Sequence, residues 1–293
     1  MEPGLIVNAD DLGVDAATTR GIVSAYRSGI VSSASLMVTM PATEAAVAAA
    51  QAADIPIGLH VALTQGRSVA GRHLERLVDE TGVFKLRAQD LVTARRADSA
   101  LIGQIAAEIK AQLSRARDLG AALTHVDSHQ HIHMNPVLFA LLEQEASAFG
   151  IKRIRMTREP VRFFWDAGHY AQVFTRNNLS KWLVTRLCGL WIKPHLDRPD
   201  MFFGLLHSGA IVKDVLLNVL ASMPADRAVE ICIHPGLPDR PSSQEADSFE
   251  VFSTSAFRRL EHDALVDPEV VALVQRRQLT LRSFDGRIKR NSV

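Results

Sequence analysis

The residues most able to do chemistry in this chain are clustered histidines and aspartates. Of the 11 histidines in 293 residues, those at positions 125, 129, 131 and 133 lie together in THVDSHQHIH, with Asp127 among them. Residues 125, 127 and 129 would share one face of a strand, and residues 129 and 133 one face of a helix. Either geometry suits a divalent metal, with some histidines orienting the others. The alternative is a polar hydrogen-bonded turn.

Two carboxylates follow the first apolar run of the chain. Leu5–Ala9 is too short for a helix and is typical of a buried strand, and Asp10 and Asp11 come directly after it. Adjacent side chains leaving a strand point in different directions, so one carboxylate could hold a cation while the other holds a water beside it. In parallel α/β folds the carboxyl ends of the strands form the site. The alternative is a solvated turn that caps the next helix.

Two further histidines lie in other apolar strands. His60 is embedded in IGLHVAL, where an unpaired ring nitrogen would cost about 1–3 kcal/mol, so it is either a ligand or a hydrogen-bonded core residue. His234 closes VEICI and precedes Pro-Gly, which suits a general acid or base as well as a hydrogen-bonded turn. Glu230 and Cys232 of the same strand are expected to be structural.

The elements that would position these side chains alternate between strand and helix. Strands are predicted at Leu5–Ala9, Ser33–Val38, Ile57–Leu63, Leu123–Asp127, Lys152–Met156, Val229–Ile233 and Leu279–Ser283. Helices are predicted from the N-cap Asp15 to about Ser28, and at Ala42–Ala53, Ser99–Leu119, Pro136–Phe149, Val212–Ser222 and Pro268–Arg277. This order predicts an α/β fold with a parallel sheet. We expect a single-domain distorted (β/α) TIM-like barrel over residues 1–286, with a helical, aromatic-rich excursion at 162–208 and a frayed tail at 287–293.

Composition excludes several classes of protein. Lys+Arg number 33 and Asp+Glu 32, and this balance argues against a general nucleic-acid or membrane-surface binder, which needs a basic excess to neutralise phosphates or anionic lipid. It does not exclude a local basic patch. The two cysteines are too few for a disulfide scaffold or a zinc ribbon. We find no secretory signal and no apolar stretch long enough to span a bilayer, so a cytoplasmic protein is expected.

The polar signals fall at predicted strand ends and could face one mouth of a barrel. An Asp-His-His set with an open coordination position is typical of a catalytic rather than a structural metal. Such a metal would polarise a carbonyl and acidify a bound water, while a free carboxylate accepts a proton and a histidine donates one. This chemistry is hydrolysis of an amide or ester, and metal-dependent phosphoester hydrolysis fits nearly as well. The absence of a Gly-rich phosphate loop counts modestly against the phosphoesterase.

The motifs NADDLG, GLHVALT, THVDSHQHIHM and ICIHPG occur in this order over nearly the whole chain. Together they resemble the YdjC-type carbohydrate deacetylases. The resemblance implies a barrel-like fold and metal-dependent removal of acetyl groups from N-acetylated sugars. It implies that one divalent metal ion, zinc or magnesium, is held by Asp11, His60 and His129. It also implies that Asp10 is the catalytic base and His234 the general acid.

Four residues are given supporting roles, as partners that orient the ligands or as substrate contacts: Asp127, His131, His133 and Arg155. The segments IRMTREP (154–160) and RPDMFFGLLHSGA (198–210) are similar to the deacetylases associated with hopanoid biosynthesis (HpnK-type). This similarity implies an N-acetylglucosaminyl hopanoid lipid as substrate, and a location peripheral to the membrane. A chitooligosaccharide substrate is the alternative, because chitooligosaccharide deacetylases share the first four motifs.

The aromatic segment 162–208 allows several interpretations. Its apolar side chains would suit a lipid aglycone or a homodimer, or simply pack a helical excursion onto the barrel. Outside the enzyme class, the rival is a non-catalytic sugar- or lipid-binding protein. Such a protein has no need for both Asp10 and His234.

Overall fold

The computed structural model describes residues 1–94, 98–163, 168, 176–237 and 256–289. Its centre is a six-stranded sheet in which every neighbouring pair is parallel, in the order β4-β3-β2-β1-β6-β5. The strands are β1 Gly4–Leu12, β2 Ser33–Leu36, β3 Ile57–Val61, β4 Leu123–Ser128, β5 Met201–Phe203 and β6 Ala228–Ile233. Their apolar residues, such as Val7, Leu59 and Ile231, are buried, as expected for a parallel sheet covered on both faces.

Helices connect and cover these strands. They are α1 Ala16–Ser28, α2 Thr43–Ala52, α3 Ala88–Val92, α4 Ser99–Asp118, α5 Pro136–Ala148, α6 Arg176–Gly189, α7 Lys213–Ser222, α8 Ala256–Val266 and α9 Pro268–Arg276, with a 3-10 turn at His129–Met134. Asp15 caps α1 as predicted, since its carboxylate accepts a hydrogen bond from the backbone N–H of Thr18. The α/β fold with a parallel sheet is therefore confirmed.

The sheet curls into a half-barrel. At its β4 edge, Ile154 forms an isolated parallel bridge to Val126, and Arg153 forms another to Asp197. The chain then runs from Asp197 directly into β5, which is the opposite edge of the sheet. These short bridges bring the two edges of the sheet toward each other and place the strand carboxyl ends around one mouth.

Several predicted boundaries differ from the structure. Around residues 152–156 and 279–283 the backbone makes only isolated bridges, at Arg153, Ile154, Leu281 and Arg282, where full strands were predicted. Helix α8 and strand β5 were not predicted. The short β5 lies inside the aromatic segment, whose residues 164–167 and 169–175 lie outside the described residues, so the predicted excursion stays a prediction. Residues 290–293 of the predicted frayed tail also lie outside them, while Lys289 donates to the carbonyls of Gly29 and Val31.

Candidate active site

The predicted site residues meet at the carboxyl ends of four strands. β1 contributes Asp10 and Asp11, β3 contributes His60, β4 leads into His129, and β6 leads into His234. All five side chains are buried. At the end of β1 the pairing register shifts between Ala9 and Leu12, and Asp11 adopts a left-handed φ of 67°. A regular strand would send these adjacent side chains to opposite faces, whereas the bulge lets both carboxylates face His60, with Asp10 Oδ2 3.9 Å from Nδ1 and Asp11 Oδ1 3.5 Å from Nε2.

Asp11, His60 and His129 form a compact group of possible ligands. Asp11 Oδ1 lies 3.5 Å from His60 Nε2 and 3.3 Å from His129 Nδ1. One ligand atom from each residue lies within 4.8 Å of the others. Asp11 Oδ1 and His129 Nε2 are both buried without a hydrogen-bond partner. Buried polar atoms of this kind are costly unless something binds them, so the group fits a divalent cation.

Asp127 orients His60 toward this group. Its Oδ1 lies 2.7 Å from His60 Nδ1, which leaves Nε2 facing Asp11. A carboxylate behind a ligating imidazole is the usual way to fix the ring and raise its basicity. Burial alone would lower the pKa of His60, but the charges of Asp127 and Asp10 outweigh it and raise the pKa to about 9. This protonated imidazole balances the surrounding carboxylates in the absence of a cation.

Asp10 is held by several donors at once. Arg155 Nη2 donates to its Oδ1 and Arg155 Nη1 to its Oδ2, each at 2.7 Å. Asn8 Nδ2 donates to Oδ1 at 2.8 Å and Cys232 Sγ to Oδ2 at 3.2 Å. Burial would raise the pKa of Asp10, but Arg155 and then His60 outweigh it and hold that pKa well below its usual value. Asp10 is therefore ionised and fixed in orientation.

Arg155 links the charged groups under the site. Besides Asp10, it reaches Asp127 Oδ2 at 2.9 Å through Nη1 and Glu230 Oε1 at 2.7 Å through Nε. Burial raises the pKa of Glu230, and the guanidinium partly offsets this. Glu230 and Cys232, which are expected to be structural, bond directly to two charged groups of the site, Arg155 and Asp10. No local pattern in VEICI indicated those contacts.

His234 directly follows β6, the strand that pairs with β1. Its backbone N–H donates to Glu261 Oε2 at 2.6 Å, and its Nδ1 lies 3.8 Å from the same oxygen. Burial lowers the pKa of His234 to about 4, although Asp11 and Asp10 act to raise it. One atom each from Asp10, Cys232 and His234 lies within 4.8 Å of the others. His234 is thus a neutral imidazole at pH 7, close to Asp10.

The other clustered histidines lie apart from the ligand group. His133 Nδ1 lies 2.6 Å from Ser128 Oγ. His131 has a left-handed φ of 55°, and its Nδ1 lies 3.2 Å from Thr157 Oγ1. His125 stacks on Phe284 at 3.7 Å between ring centroids. Neither of the two predicted geometries holds for the whole motif, because the strand ends at Ser128 and a 3-10 turn begins at His129.

Two charged residues near the site were missed by sequence reasoning. Arg258 Nη2 donates to Asp11 Oδ2 at 2.6 Å. Glu261 accepts from the backbone of His234, and burial raises the pKa of Glu261 to about 7. Both residues lie on α8. Arg258 is 247 residues along the chain from Asp11, which it contacts. The sequence of α8 offers one signal, a run of charged residues with apolar residues at helical spacing. Such a run more often forms the solvated face of a helix than part of an active site.

Comparison with known proteins places the chain in a family. The family described as YdjC-like protein matches residues 4–276. A carbohydrate deacetylase of Geobacillus stearothermophilus is 32% identical over 95% of this chain and 96% of its own length. The human carbohydrate deacetylase is 31% identical over 96% of this chain and 90% of its own length. A chitooligosaccharide deacetylase of Serratia marcescens is 37% identical over 55% of this chain and 62% of its own length.

Solved structures support the fold. A crystal structure of an Enterococcus faecalis V583 protein, named for cellobiose-phosphate cleavage, superimposes with a TM-score of 0.71 at 22% identity. That superposition covers 97% of this chain and 98% of the other, so the two share a fold along their whole length. Together with the match over residues 4–276, these similarities show that the chain belongs to the YdjC-like protein family.

Proposed function

We propose that this protein is a metal-dependent amidohydrolase that removes the acetyl group from an N-acetylated sugar. The observation that carries the proposal is the buried group Asp11, His60 and His129, two atoms of which lack a hydrogen-bond partner, beside the ionised Asp10. Relatives named as carbohydrate deacetylases over the full chain length support the same reaction. The catalytic unit is a single domain over residues 1–286, a distorted (β/α) TIM-like barrel with this mouth at the carboxyl ends of its strands.

The residues divide into a binding set and a proton-transfer set. Asp11, His60 and His129 would hold one divalent cation, and two imidazoles with one carboxylate favour zinc or another transition ion over magnesium. When bound, such a cation supplies Lewis acidity that polarises the acetyl carbonyl and acidifies water. Asp127 keeps the His60 ring in the orientation that binding requires, and Arg258 holds the second oxygen of Asp11.

Asp10 accepts the proton of the attacking water. Its low pKa makes it a weak base towards ordinary water, so it needs a water that is already acidified. Arg155 contributes by holding the carboxylate in one orientation, with both oxygens fixed. The backbone and charged groups of the mouth then stabilise the negative charge that develops on the carbonyl oxygen.

His234 donates a proton to the departing amine. Because its pKa is about 4, it is neutral in the resting protein and is a strong acid only after it gains a proton. Asp10 lies within 4.8 Å of it, so the proton taken from water has a short route to the leaving nitrogen. The products are acetate and a free amino sugar.

Within this function we favour an N-acetylglucosaminyl hopanoid lipid over a free chitooligosaccharide as substrate. The support is the similarity of IRMTREP (154–160) and RPDMFFGLLHSGA (198–210) to hopanoid-associated deacetylases. Arg155 belongs to the first of these segments, and Phe202, whose ring lies 5.7 Å from the Arg155 guanidinium, belongs to the second. Comparing the lipids of a source strain with and without the gene would test the choice, since loss should leave the sugar acetylated.

The proposed reaction is tested by measuring acetate release with and without chelator. The substrates are N-acetylated chitooligosaccharides and lipid-linked N-acetylglucosamine. We expect release from at least one substrate, its loss after chelation, and its recovery on adding zinc. A phosphate ester assayed in parallel controls for general metal-dependent hydrolysis. Release that survives complete removal of metal would contradict the mechanism, and phosphate release without acetate release would contradict the function.

A further inference from the structure

One side of α6 and of the turn after it presents large apolar side chains to solvent. The exposed fractions are 50% for Leu183, 38% for Val184, 51% for Leu187, 65% for Leu190 and 79% for Trp191. Leu183, Val184 and Leu187 share one face of α6, and Leu190 and Trp191 follow in the turn after it. We call these five residues the apolar stripe. Contiguous exposed apolar surface of this kind, unlike a single exposed leucine, marks an interaction surface.

The opposite side of α6 is anchored to the fold. Trp182 Nε1 donates to the carbonyl of Glu159 at 3.0 Å, and its ring packs against Phe202, Leu205 and Leu206. Gly189 approaches so closely that a Cβ there would lie 3.3 Å from Arg158 and 3.5 Å from Met134. The helix is thus already fixed by its inner face, and the apolar stripe is its outer face.

The charged residues of α6 and of the turn after it have one sign. Residues 176–196 contain no aspartate or glutamate, but they contain Arg176, Lys181, Arg186 and Lys193. At 100° per residue, Lys181 and Arg186 lie on the two flanks of the stripe. Exposed apolar side chains with bases beside them suit contact with an anionic bilayer surface. A two-fold dimer through the stripe would bring two sets of bases together, which disfavours it.

Basic side chains also line a cavity next to the stripe. This cavity of about 540 Å³ is lined by Arg158, Arg186 and Arg198, and by the carboxylates Asp197 and Asp200. The carboxylate of Asp200 is also held by the fold, because its Oδ2 accepts a hydrogen bond from the backbone N–H of Ala228. Three arginines in the lining of one cavity suit a phosphate group, which arginine binds in a bidentate manner.

We propose that the apolar stripe and this arginine-lined cavity dock the protein onto an anionic membrane surface, with a lipid headgroup phosphate in the cavity. α6 also packs against the His129–Met134 turn, which carries one of the possible metal ligands. Docking would therefore hold the candidate active site close to the bilayer. If the proposed function also holds, this position gives the site access to sugars carried on lipids.

Vesicle flotation tests the docking. The probes are vesicles of phosphatidylcholine alone and vesicles in which about a third of the lipid is phosphatidylglycerol. We expect the full chain to float with the anionic vesicles only, and binding to fall as salt rises. Emission of Trp191 should shift to the blue on binding, and the shift should be lost in Trp191→Phe.

Matched variants separate the surface from general effects. Leu187→Glu and Arg198→Glu should each weaken binding to anionic vesicles by about tenfold or more. Ile288→Glu is the apolar control, because Ile288 is similarly exposed at 54% but lies near the C-terminus. Lys110→Glu on the exposed side of α4 is the charge control. Both controls should bind as the unchanged protein does.

Three results would overturn the proposal. The first is that the unchanged protein floats with neither kind of vesicle. The second is that Leu187→Glu and Ile288→Glu bind anionic vesicles equally. The third is that the protein binds no vesicle but forms a dimer, which the substitution Leu187→Glu dissociates. Acetate release from a soluble N-acetylated oligosaccharide is measured on the same proteins. Leu187→Glu should retain it, so a failure of docking is distinguishable from a failure of the deacetylase function.

Discussion

The neighbourhoods of Asp10 and Asp11 differ although the two residues are adjacent in the chain. Both oxygens of Asp10 accept hydrogen bonds, from Arg155, Asn8 and Cys232. Only one oxygen of Asp11 is bonded, to Arg258, and the other faces two imidazoles without a donor. One carboxylate is therefore fixed by the protein alone, whereas the other is left incomplete. Under the proposed function, this difference suits the Asp10 side to proton transfer and the Asp11 side to binding a cation.

The largest expected effect is on the Asp11 side. His129→Ala should lose the cation and reduce acetate release by more than the 10–100-fold that loss of an orienting partner typically costs. His133→Ala is the matched control, because His133 belongs to the same motif but lies against Ser128. Metal content by mass spectrometry and acetate release check both variants. Equal metal loss in the two variants would contradict the distinction.

Removing Arg155 should cost the most stability on the Asp10 side. Arg155→Met leaves Asp10, Asp127 and Glu230 buried without their cation, and breaking such pairs costs about 3–5 kcal/mol. Urea unfolding measures the loss, with Arg72→Met at an exposed position as control. A loss of less than about 1 kcal/mol in the free energy of unfolding would show that Arg155 is not coupled to the three carboxyl groups as the short distances indicate.

Arg258→Met should behave differently from Arg155→Met. It removes the donor to Asp11, next to the group that would bind a cation, so added zinc should restore part of the lost stability by binding the folded state. Added zinc should not restore Arg155→Met to the same extent, because Asp10 is not among the proposed ligands. The Tm of each variant is measured with and without zinc. An equal rise in Tm on adding zinc would argue against assigning Asp11 to the cation and Asp10 to proton transfer.

The buried carboxyl of Glu261, which accepts a hydrogen bond from the backbone of His234, predicts a pH effect on stability. Burial raises the pKa of Glu261 from 4.5 to about 7, so the folded protein keeps a proton there that the unfolded chain has lost. This contribution is fully present below pH 4.5 and is lost as pH rises towards 7. Glu261→Gln should therefore flatten the fall in Tm between about pH 5 and 7, while Glu80→Gln, at an exposed position, should not. Parallel curves for Glu261→Gln and the unchanged protein would refute this.

The smallest expected effect is at Cys232. Cys232→Ala removes one weak donor from Asp10 but leaves Arg155 and Asn8 in place, so it should cost about 1 kcal/mol and reduce kcat slightly. Cys232→Ser keeps a donor and should lie nearer to the unchanged protein. Calorimetry and initial rates measure both. A loss of activity as large as that of His129→Ala would mean that the thiol has a role beyond orientation.

Sequence reasoning located the strand ends but not the contacts between them. The apolar runs before Asp10, around His60 and before His234 indicated where β1, β3 and β6 lie, because a buried parallel strand has a simple pattern. The partners of these residues come from distant parts of the chain: Arg155 meets Asp10 and Glu230, and Arg258 meets Asp11. Such pairs leave no local periodicity, so only the resemblance to a family pointed to Arg155.

Backbone strain was equally hidden. Asp11, Gln130 and His131 have positive φ, which neither a strand nor a helix pattern predicts. As a result, THVDSHQHIH fits neither predicted geometry, and only His129 of its histidines faces Asp11. The outer face of α6 was foreseen only as an apolar segment, because the sequence does not tell which apolar residues remain exposed.

The metal content and activity of Asp10→Asn and Asp11→Asn, measured side by side, test the central claim most directly. Asparagine keeps the size of each side chain and removes its charge. Asp10→Asn should retain about one divalent cation per chain and lose acetate release by about 10²–10⁴-fold. Asp11→Asn should lose both. Metal retained equally in both variants, or normal turnover in Asp10→Asn, would contradict the assignment of one carboxylate to proton transfer and the other to the cation.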